Sequence, residues 1–152
     1  MTNSSNLIDS LEVYVLNNPD DVKPHWVSHF IVPTANELLI KIKNKNGNSG
    51  FGLATSYSDI SPIIKPFSNG LQDFIIGQDP FCPEKIYESI SKLTDTRISS
   101  EKGWGKEALI RISAALDIAC WDLMGKSSNI PLYKLFGGYR NKIPVYVTCG
   151  YY

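Results

Sequence analysis

Two early segments of the chain alternate apolar and polar side chains with a period of two, which predicts β-strands. The first covers residues 11–16, and the second, which is more regular, covers residues 37–43. One face of the second segment is aliphatic and the other carries lysines: Leu38, Ile40 and Ile42 on the first face, Lys41 and Lys43 on the second. We expect helices to cover the aliphatic face, because a shift of register by one residue would bury the lysines instead.

Asn46-Gly47 follows the second strand, and this dipeptide tolerates the positive φ angles of a tight hairpin turn. Phe51, Leu53 and Thr55 then mark a returning strand. The first third of the chain is therefore predicted to be a three-stranded antiparallel meander. Residues 17–36 form a long excursion between its first two strands, and loops of this length in compact domains are usually functional or disordered.

Helical spacing replaces alternation after the meander. A first helix, capped by Asp59 or Ser61, is expected to break near Pro66 and Gly70. A second helix begins at Pro83, the position where a missing N–H does no harm. Its apolar positions are Ile86, Ile90 and Leu93.

A third and longest helix is predicted over residues 106–124, with Gly125 as the residue that ends it. Trp121 lies about 140° around the helix from Leu116, so we expect it on a different side from the inward stripe. A short helix over residues 132–136 and a last strand over residues 143–148 complete the pattern. The inward stripe of the third helix is Leu109, Ile112, Leu116, Ala119 and Leu123. Strands first and helices afterwards indicate an α+β fold.

The amino-acid composition argues against several kinds of partner but does not by itself identify a function. The 152 residues, 43% hydrophobic and 20% charged, suit one globular domain. Fifteen basic side chains balance fifteen acidic ones, so we expect neither a nucleic acid nor a membrane partner. The polar start lacks a signal-peptide pattern, and we expect a cytoplasmic protein. Three widely spaced cysteines are expected to be reduced, with one of them packed as a small hydrophobe on a buried helix face: Cys82, Cys149 and the buried Cys120.

The acidic residues of the third helix do not form a metal site. Asp117 and Asp122 are five positions apart, so they point to different faces. Asp122 stands four positions before Lys126, and this spacing predicts an ion pair. Lys126 is explained by its place near a helix C-terminus, where a cation is favoured. We therefore expect neither aspartate to bind a metal and Lys126 not to act as a base.

Four segments resemble one known family. Residues 113–126, SAALDIACWDLMGK, resemble the D-x-A-x-W-D…G-K helix of the mandelate racemase and muconate lactonizing enzyme type of the enolase superfamily. Residues 131–138, PLYKLFGG, are similar to its P-x-Y-x-L-L-G-G helix, and residues 142–146 are similar to its first barrel strand. Residues 76–80, IGQDP, resemble its link between two helices.

The resemblance implies an enolase-type α+β capping domain over residues 1–138, followed by the first strand of a truncated (β/α)8 TIM barrel over residues 139–152. Family members remove a proton next to a carboxylate and stabilise the enediolate on Mg²⁺, with a Lys or His base. The implied function is therefore that of the capping and substrate-specificity domain of a racemase, cycloisomerase or acid-sugar dehydratase. Its implied partners are a carboxylate-bearing small-molecule substrate and further copies of the chain in a homo-oligomer.

Magnesium belongs, by the same resemblance, to the full-length enzyme, and we expect the fragment to bind none. The family's metal ligands and bases lie on later strands of a barrel that takes about 200 residues or more. The sequence is too short to contain them, and we expect this polypeptide to be inactive alone.

The excursion carries the candidate residues for substrate contact. In the resembled family this loop folds over the barrel mouth, together with a second loop that follows the meander. The candidates in the two loops are His25, Trp26, His29, Phe30 and Tyr57. Packing anchors and solvated histidines are the alternative interpretation. His25 and His29 would share a metal only on a helix, which the flanking prolines disfavour.

A free-standing α+β binding or dimerisation module is the alternative function. The sequence stops soon after a barrel-type strand, which we interpret as a truncated coding sequence rather than as a module with a finished end. Because the neighbouring barrel strands are missing, we expect residues 143–149 either to leave the domain as an extended arm with few hydrogen bonds to the chain or to pair with a second copy.

Overall fold

The computed structural model describes residues 5–17, 23–27, 29–32 and 35–147, and the side chains of His25, Val27 and Phe30 lie outside this description. It confirms the α+β class, with strands preceding helices along the chain. The strands are β1 (Ile8–Leu16), β2 (His25–Val27), β3 (Phe30–Val32), β4 (Asn36–Asn44) and β5 (Ser49–Ser56). The helices are α1 (Ser61–Ser68), a 3₁₀ helix (Leu71–Phe74), α2 (Pro83–Leu93), α3 (Arg97–Lys102), α4 (Lys106–Ser128) and α5 (Leu132–Leu135).

The predicted meander is confirmed as an antiparallel sheet in the order β1-β4-β5. Its central strand has the expected register, because the aliphatic side chains Leu38, Ile40 and Ile42 are all 0% exposed. The turn between β4 and β5 lies where Asn46-Gly47 predicted it, with Gly47 at φ 86°. Asn44 closes this turn by accepting the Asn48 N–H on its side-chain oxygen at 3.0 Å.

The inner face of the sheet is covered mainly by α4, the longest helix. The five stripe residues predicted from helical spacing are all fully buried: Leu109, Ile112, Leu116, Ala119 and Leu123. Trp121 lies off this stripe as expected and packs its ring against Phe136, with the centroids 4.7 Å apart. Cys120 is buried as predicted, and loss of solvation raises the pKa of its thiol to about 12.

The end of α4 corrects the sequence interpretation. Gly125 does not end the helix, which continues to Ser128 and is capped by Asn129 with φ 52°. A Cβ at position 125 would lie 3.2 Å from the Ile130 carbonyl oxygen. Gly125 therefore leaves room for the close return of the chain over the helix, and Asn129 provides the left-handed residue that ends it.

Two helical features differ in how well the sequence predicted them. The expected break after Pro66 is confirmed, because α1 stops at Ser68 and Gly70 adopts φ 92° before the 3₁₀ helix. Helix α3 was missed. Its signals are nonetheless present: the Thr96 hydroxyl oxygen accepts the Ser99 N–H as an N-cap, and Gly103 ends the helix with φ 65°.

The final described segment does not form the predicted strand, but it agrees with the expected exposed arm that has few hydrogen bonds to its own chain. Residues 143–147 form no strand, and Thr148 and Cys149 lie outside the described residues. Within the described chain, residues 139–147 make no hydrogen bond to the rest of the fold. Val145 and Tyr146 are 76% and 90% exposed. A strand forms only against a partner, and no described neighbour offers one here.

None of the helices in the described ranges combines the length and apolar character needed to cross a bilayer.

Candidate functional site

The two candidate loops leave the sheet at the same end. Strand β1 ends where Leu16 pairs with Glu37, so the excursion begins and ends beside the start of β4. Asn36, at the start of β4, pairs with Ser56 at the end of β5. The Asn36 side-chain amide also donates to the Ser58 carbonyl oxygen at 3.1 Å. The register of the sheet and this bond bring the base of the excursion next to the turn that carries Tyr57.

The excursion contains a small hairpin rather than a helix. β2 and β3 pair antiparallel, with Trp26 opposite Ile31 and His25 opposite Val32. Because His25 is in a strand and His29 is in the following turn, the two histidines do not share the helical face that a metal pair would need. The sequence correctly disfavoured a helix here but did not predict the hairpin.

The hairpin has one apolar face open to solvent. Trp26 is 65% exposed and its cross-strand partner Ile31 is 47% exposed, whereas Val32 is 1% exposed. The alternation of strand faces explains this difference. His29 is exposed in the turn, and the side chains of His25 and Phe30 lie outside the described residues. Of the excursion's four candidates, Trp26 and His29 are thus available at the surface.

Tyr57 occupies a turn built from short polar side chains. The Ser56 hydroxyl donates to the Asp59 carbonyl oxygen at 3.2 Å, and the Asp59 carboxylate accepts the Ser61 N–H at 3.0 Å. The hydrogen bonds that the Ser61 N–H and the Ser61 hydroxyl donate to the Asp59 carboxylate lower the pKa of this carboxyl below its ordinary value. The backbone of the turn is therefore held while the Tyr57 side chain remains 52% exposed.

Arg111 of α4 contacts the end of the strand that leads into this turn, a contact that the sequence did not predict. Its guanidinium donates to the Thr55 carbonyl oxygen and pairs with Glu107 at 2.7 Å. A cavity of about 200 Å³ lies beside it, lined partly by Ser56 and Asp59. The Glu107-to-Arg111 spacing of four residues was a detectable signal for an ion pair, but not for its contact with β5.

The described residues do not fit a magnesium site. Mg²⁺ prefers several oxygen ligands that converge on one point, and no group of three or more His, Cys, Asp or Glu side chains converges within the described ranges. Asp122 is already engaged, because its carboxylate pairs with Lys126 at 2.5 Å and accepts the Phe51 N–H at 3.0 Å. Asp117 lies on another face, where burial and the nearby Glu84 raise the pKa of its carboxyl. The predicted separation of these aspartates and the predicted Asp122–Lys126 pair are both confirmed.

Comparison with known families gives a match to most of the chain. Residues 10–137 match the family described as mandelate racemase / muconate lactonizing enzyme, N-terminal domain. This span includes the whole β1-β4-β5 sheet except the start of β1, and all the described helices from α1 to α5.

Individual relatives carry several activities. The hydrophobic dipeptide epimerase of Enterococcus faecalis is 29% identical over 78% of this chain and 31% of its own length. The arabinonate dehydratase of Saccharolobus solfataricus is 27% identical over 76% of the chain and 29% of its own length. Among solved structures, a racemase from Streptomyces coelicolor A3(2) with bound magnesium superposes with a TM-score of 0.70 at 27% identity, covering 88% of this chain and 36% of that one. The chain thus spans about a third of the length of the relatives it matches.

Proposed function

Because this chain belongs to the mandelate racemase / muconate lactonizing enzyme N-terminal domain family, we propose that it is the capping domain that selects substrate in a magnesium-dependent racemase, cycloisomerase or acid-sugar dehydratase. The bond from the Asn36 amide to the Ser58 carbonyl oxygen carries this proposal. It joins the two segments whose exposed aromatic residues, Trp26 and Tyr57, are free to contact a ligand. One structural feature thus presents both loops at a single end of the sheet.

The aromatic residues of the two loops define the kind of contact on offer. Trp26 and Ile31 form an exposed apolar pair on the hairpin. Tyr57 adds a hydroxyl that can donate or accept a hydrogen bond. Burying such side chains against a ligand favours an apolar or aromatic substituent, since each removes a large apolar area from water. We therefore expect a carboxylate-bearing small molecule whose side group, rather than its reacting centre, touches the cap.

Magnesium and the catalytic groups are proposed to belong to the part of the longer relatives that this chain does not cover. Magnesium there stabilises negative charge on carboxylate oxygens when a neighbouring proton is removed. The described residues of this chain provide no fitting set of ligands, so their contribution is to shape the substrate pocket and to exclude water. We accordingly propose that the 152-residue chain has no activity of its own.

A hybrid enzyme tests this proposal. Residues 8–137 of this chain would replace the matching third of the Enterococcus faecalis epimerase, whose remaining part supplies the catalytic groups. Epimerisation would be followed as deuterium incorporation from D₂O at the α-carbon, across a panel of dipeptides and with magnesium removed by EDTA. The isolated chain would be assayed in parallel.

We expect the folded hybrid to retain magnesium-dependent exchange with an altered order of preference among dipeptides, and the isolated chain to catalyse none. A folded, active hybrid with the parent's preferences would contradict the substrate-selecting role. Measurable exchange by the isolated chain would contradict its assignment as a cap without catalytic groups.

A further inference from the structure

The outer face of the β1-β4-β5 sheet is apolar at its centre and has no covering element within the described chain. Its middle row is formed by Tyr14, Leu39 and Leu53, which are aligned across the three strands by the register. Tyr14 and Leu53 are each 43% exposed. A patch of a few hundred Å² is common on monomers, so its apolar character alone identifies no partner.

Charges on either side of the middle row are more informative. Glu37 and Lys41 stand two residues before and after Leu39 on the central strand, and both side chains belong to the outer face. Within the described chain, the Glu37 carboxylate has no hydrogen-bond or ion-pair partner. Lys41 pairs with Glu12 at 3.2 Å, and an ammonium group has three protons to donate. The strand thus presents an acid, an aliphatic residue and a base in a row.

This order is complementary to itself when it is reversed. A two-fold axis that crosses the strands at Leu39 places a second sheet face to face with the first and reverses its strand direction. Leu39 then meets Leu39 of the other copy, and each Glu37 meets the other copy's Lys41. We infer that the outer face binds a second copy of this chain in this arrangement, which is an aligned packing of two sheets.

The size of the outer face predicts a weak dimer. Three strands about 4.8 Å apart, with three rows of side chains, give the outer face a projected area of roughly 300 Å². A standard specific interface buries about 800 Å² on each partner. Self-association should therefore be concentration-dependent, in the micromolar to millimolar range.

Charge reversal with mixing tests the arrangement, using sedimentation equilibrium of the 152-residue chain up to about 1 mM, which covers the expected range of dissociation constants. Glu37→Lys and Lys41→Glu each convert both cross-copy pairs into like-charge pairs. Each variant alone should self-associate about tenfold more weakly than the natural chain. An equimolar mixture restores opposite charges in both cross-copy pairs, so it should associate more strongly than either variant alone. Circular dichroism would confirm that each variant is folded, and a misfolded variant could not be rescued by mixing.

Two controls fix the location of the contact. Lys43→Glu makes the same charge change as Lys41→Glu, but in this arrangement it faces no charged residue, so dimerisation should change little. Val145→Lys alters the exposed final segment and should leave dimerisation unchanged. A natural chain that stays monomeric, a mixture that shows no recovery, a Lys43→Glu effect equal to that of Lys41→Glu, or loss of dimers in Val145→Lys would each overturn the inference.

Discussion

Gly52 of β5 lies directly against the backbone of Ala115 in α4. A Cβ atom added at Gly52 would overlap the Ala115 carbonyl oxygen, and the same holds one pair further along for Gly50 and Ala119. The helix therefore approaches the strand more closely than any pair of larger residues would permit. This approach buries the inner face of β5, although two of the inner positions on that strand carry no side chain.

Substitution of Gly52 by alanine should destabilise the domain strongly. The atoms in the way belong to the helix backbone, which cannot rotate aside as a long side chain would, so we expect a loss of at least about 2–3 kcal/mol in the free energy of unfolding. Urea denaturation followed by circular dichroism measures it.

Gly105→Ser is the matched control for this prediction. Gly105 is the N-cap of α4, and nothing lies within 4 Å of an added Cβ there. Serine is a favoured N-cap, so this variant should be neutral or slightly more stable. A Gly52→Ala protein as stable as Gly105→Ser would contradict the close approach of α4 to β5.

The contact between Gly52 and Ala115 marks a limit of what the sequence could predict. Ala115 and Ala119 are small enough to allow a close neighbour, but spacing along one helix does not identify that neighbour. The meander, by contrast, followed from alternation in β4 and from Asn46-Gly47, because these signals are local. The hairpin at Trp26 was missed because its strands are three residues long, too short for a periodic pattern. The position of Tyr57 beside the excursion depends on strand register, which only the pairing of distant segments determines.

Asp122 joins α4 to the edge of the sheet, and its removal should cost more than a surface ion pair. Asp122→Ala deletes both the bond to the Phe51 N–H and the pair with Lys126, so we expect a loss of about 1–2 kcal/mol. Asp122→Asn retains an acceptor for the N–H and should lose less. Glu101→Ala breaks the exposed Arg97–Glu101 pair, which has the same spacing but no contact with a strand, and should change stability by about 0.5 kcal/mol or less. Equal losses in Asp122→Ala and Glu101→Ala would show that the bond to β5 contributes nothing.

Asp117 should make stability fall as the pH rises. Burial, with a smaller contribution from Glu84, raises the pKa of its carboxyl above the ordinary 3.8. The folded state therefore binds the proton more tightly than the unfolded state, and this contribution is complete below the ordinary pKa and is lost as the pH rises through the raised one. Asp117→Asn should accordingly raise the Tm at neutral pH and have little effect at about pH 3.5.

Glu84→Gln should act in the same direction as Asp117→Asn but more weakly, because repulsion is the smaller of the two causes. Thermal melts at both pH values measure each effect. A gain for Asp117→Asn that is the same at both pH values would contradict a titration of this carboxyl.

Substrate selection by the two joined loops is tested by the ratio of kcat/KM for a dipeptide with large apolar side chains to kcat/KM for one with small side chains. In the hybrid epimerase, Trp26→Ala and Tyr57→Ala should each lower kcat/KM for dipeptides with large apolar side chains about 10- to 100-fold, mainly through KM, with less effect on small ones. Tyr87→Ala, a matched control on the exposed side of α2, should leave the ratio unchanged. We expect this ratio to fall only in the two loop variants. A ratio that is unchanged in both variants, in a folded and active hybrid, would contradict substrate selection by these loops.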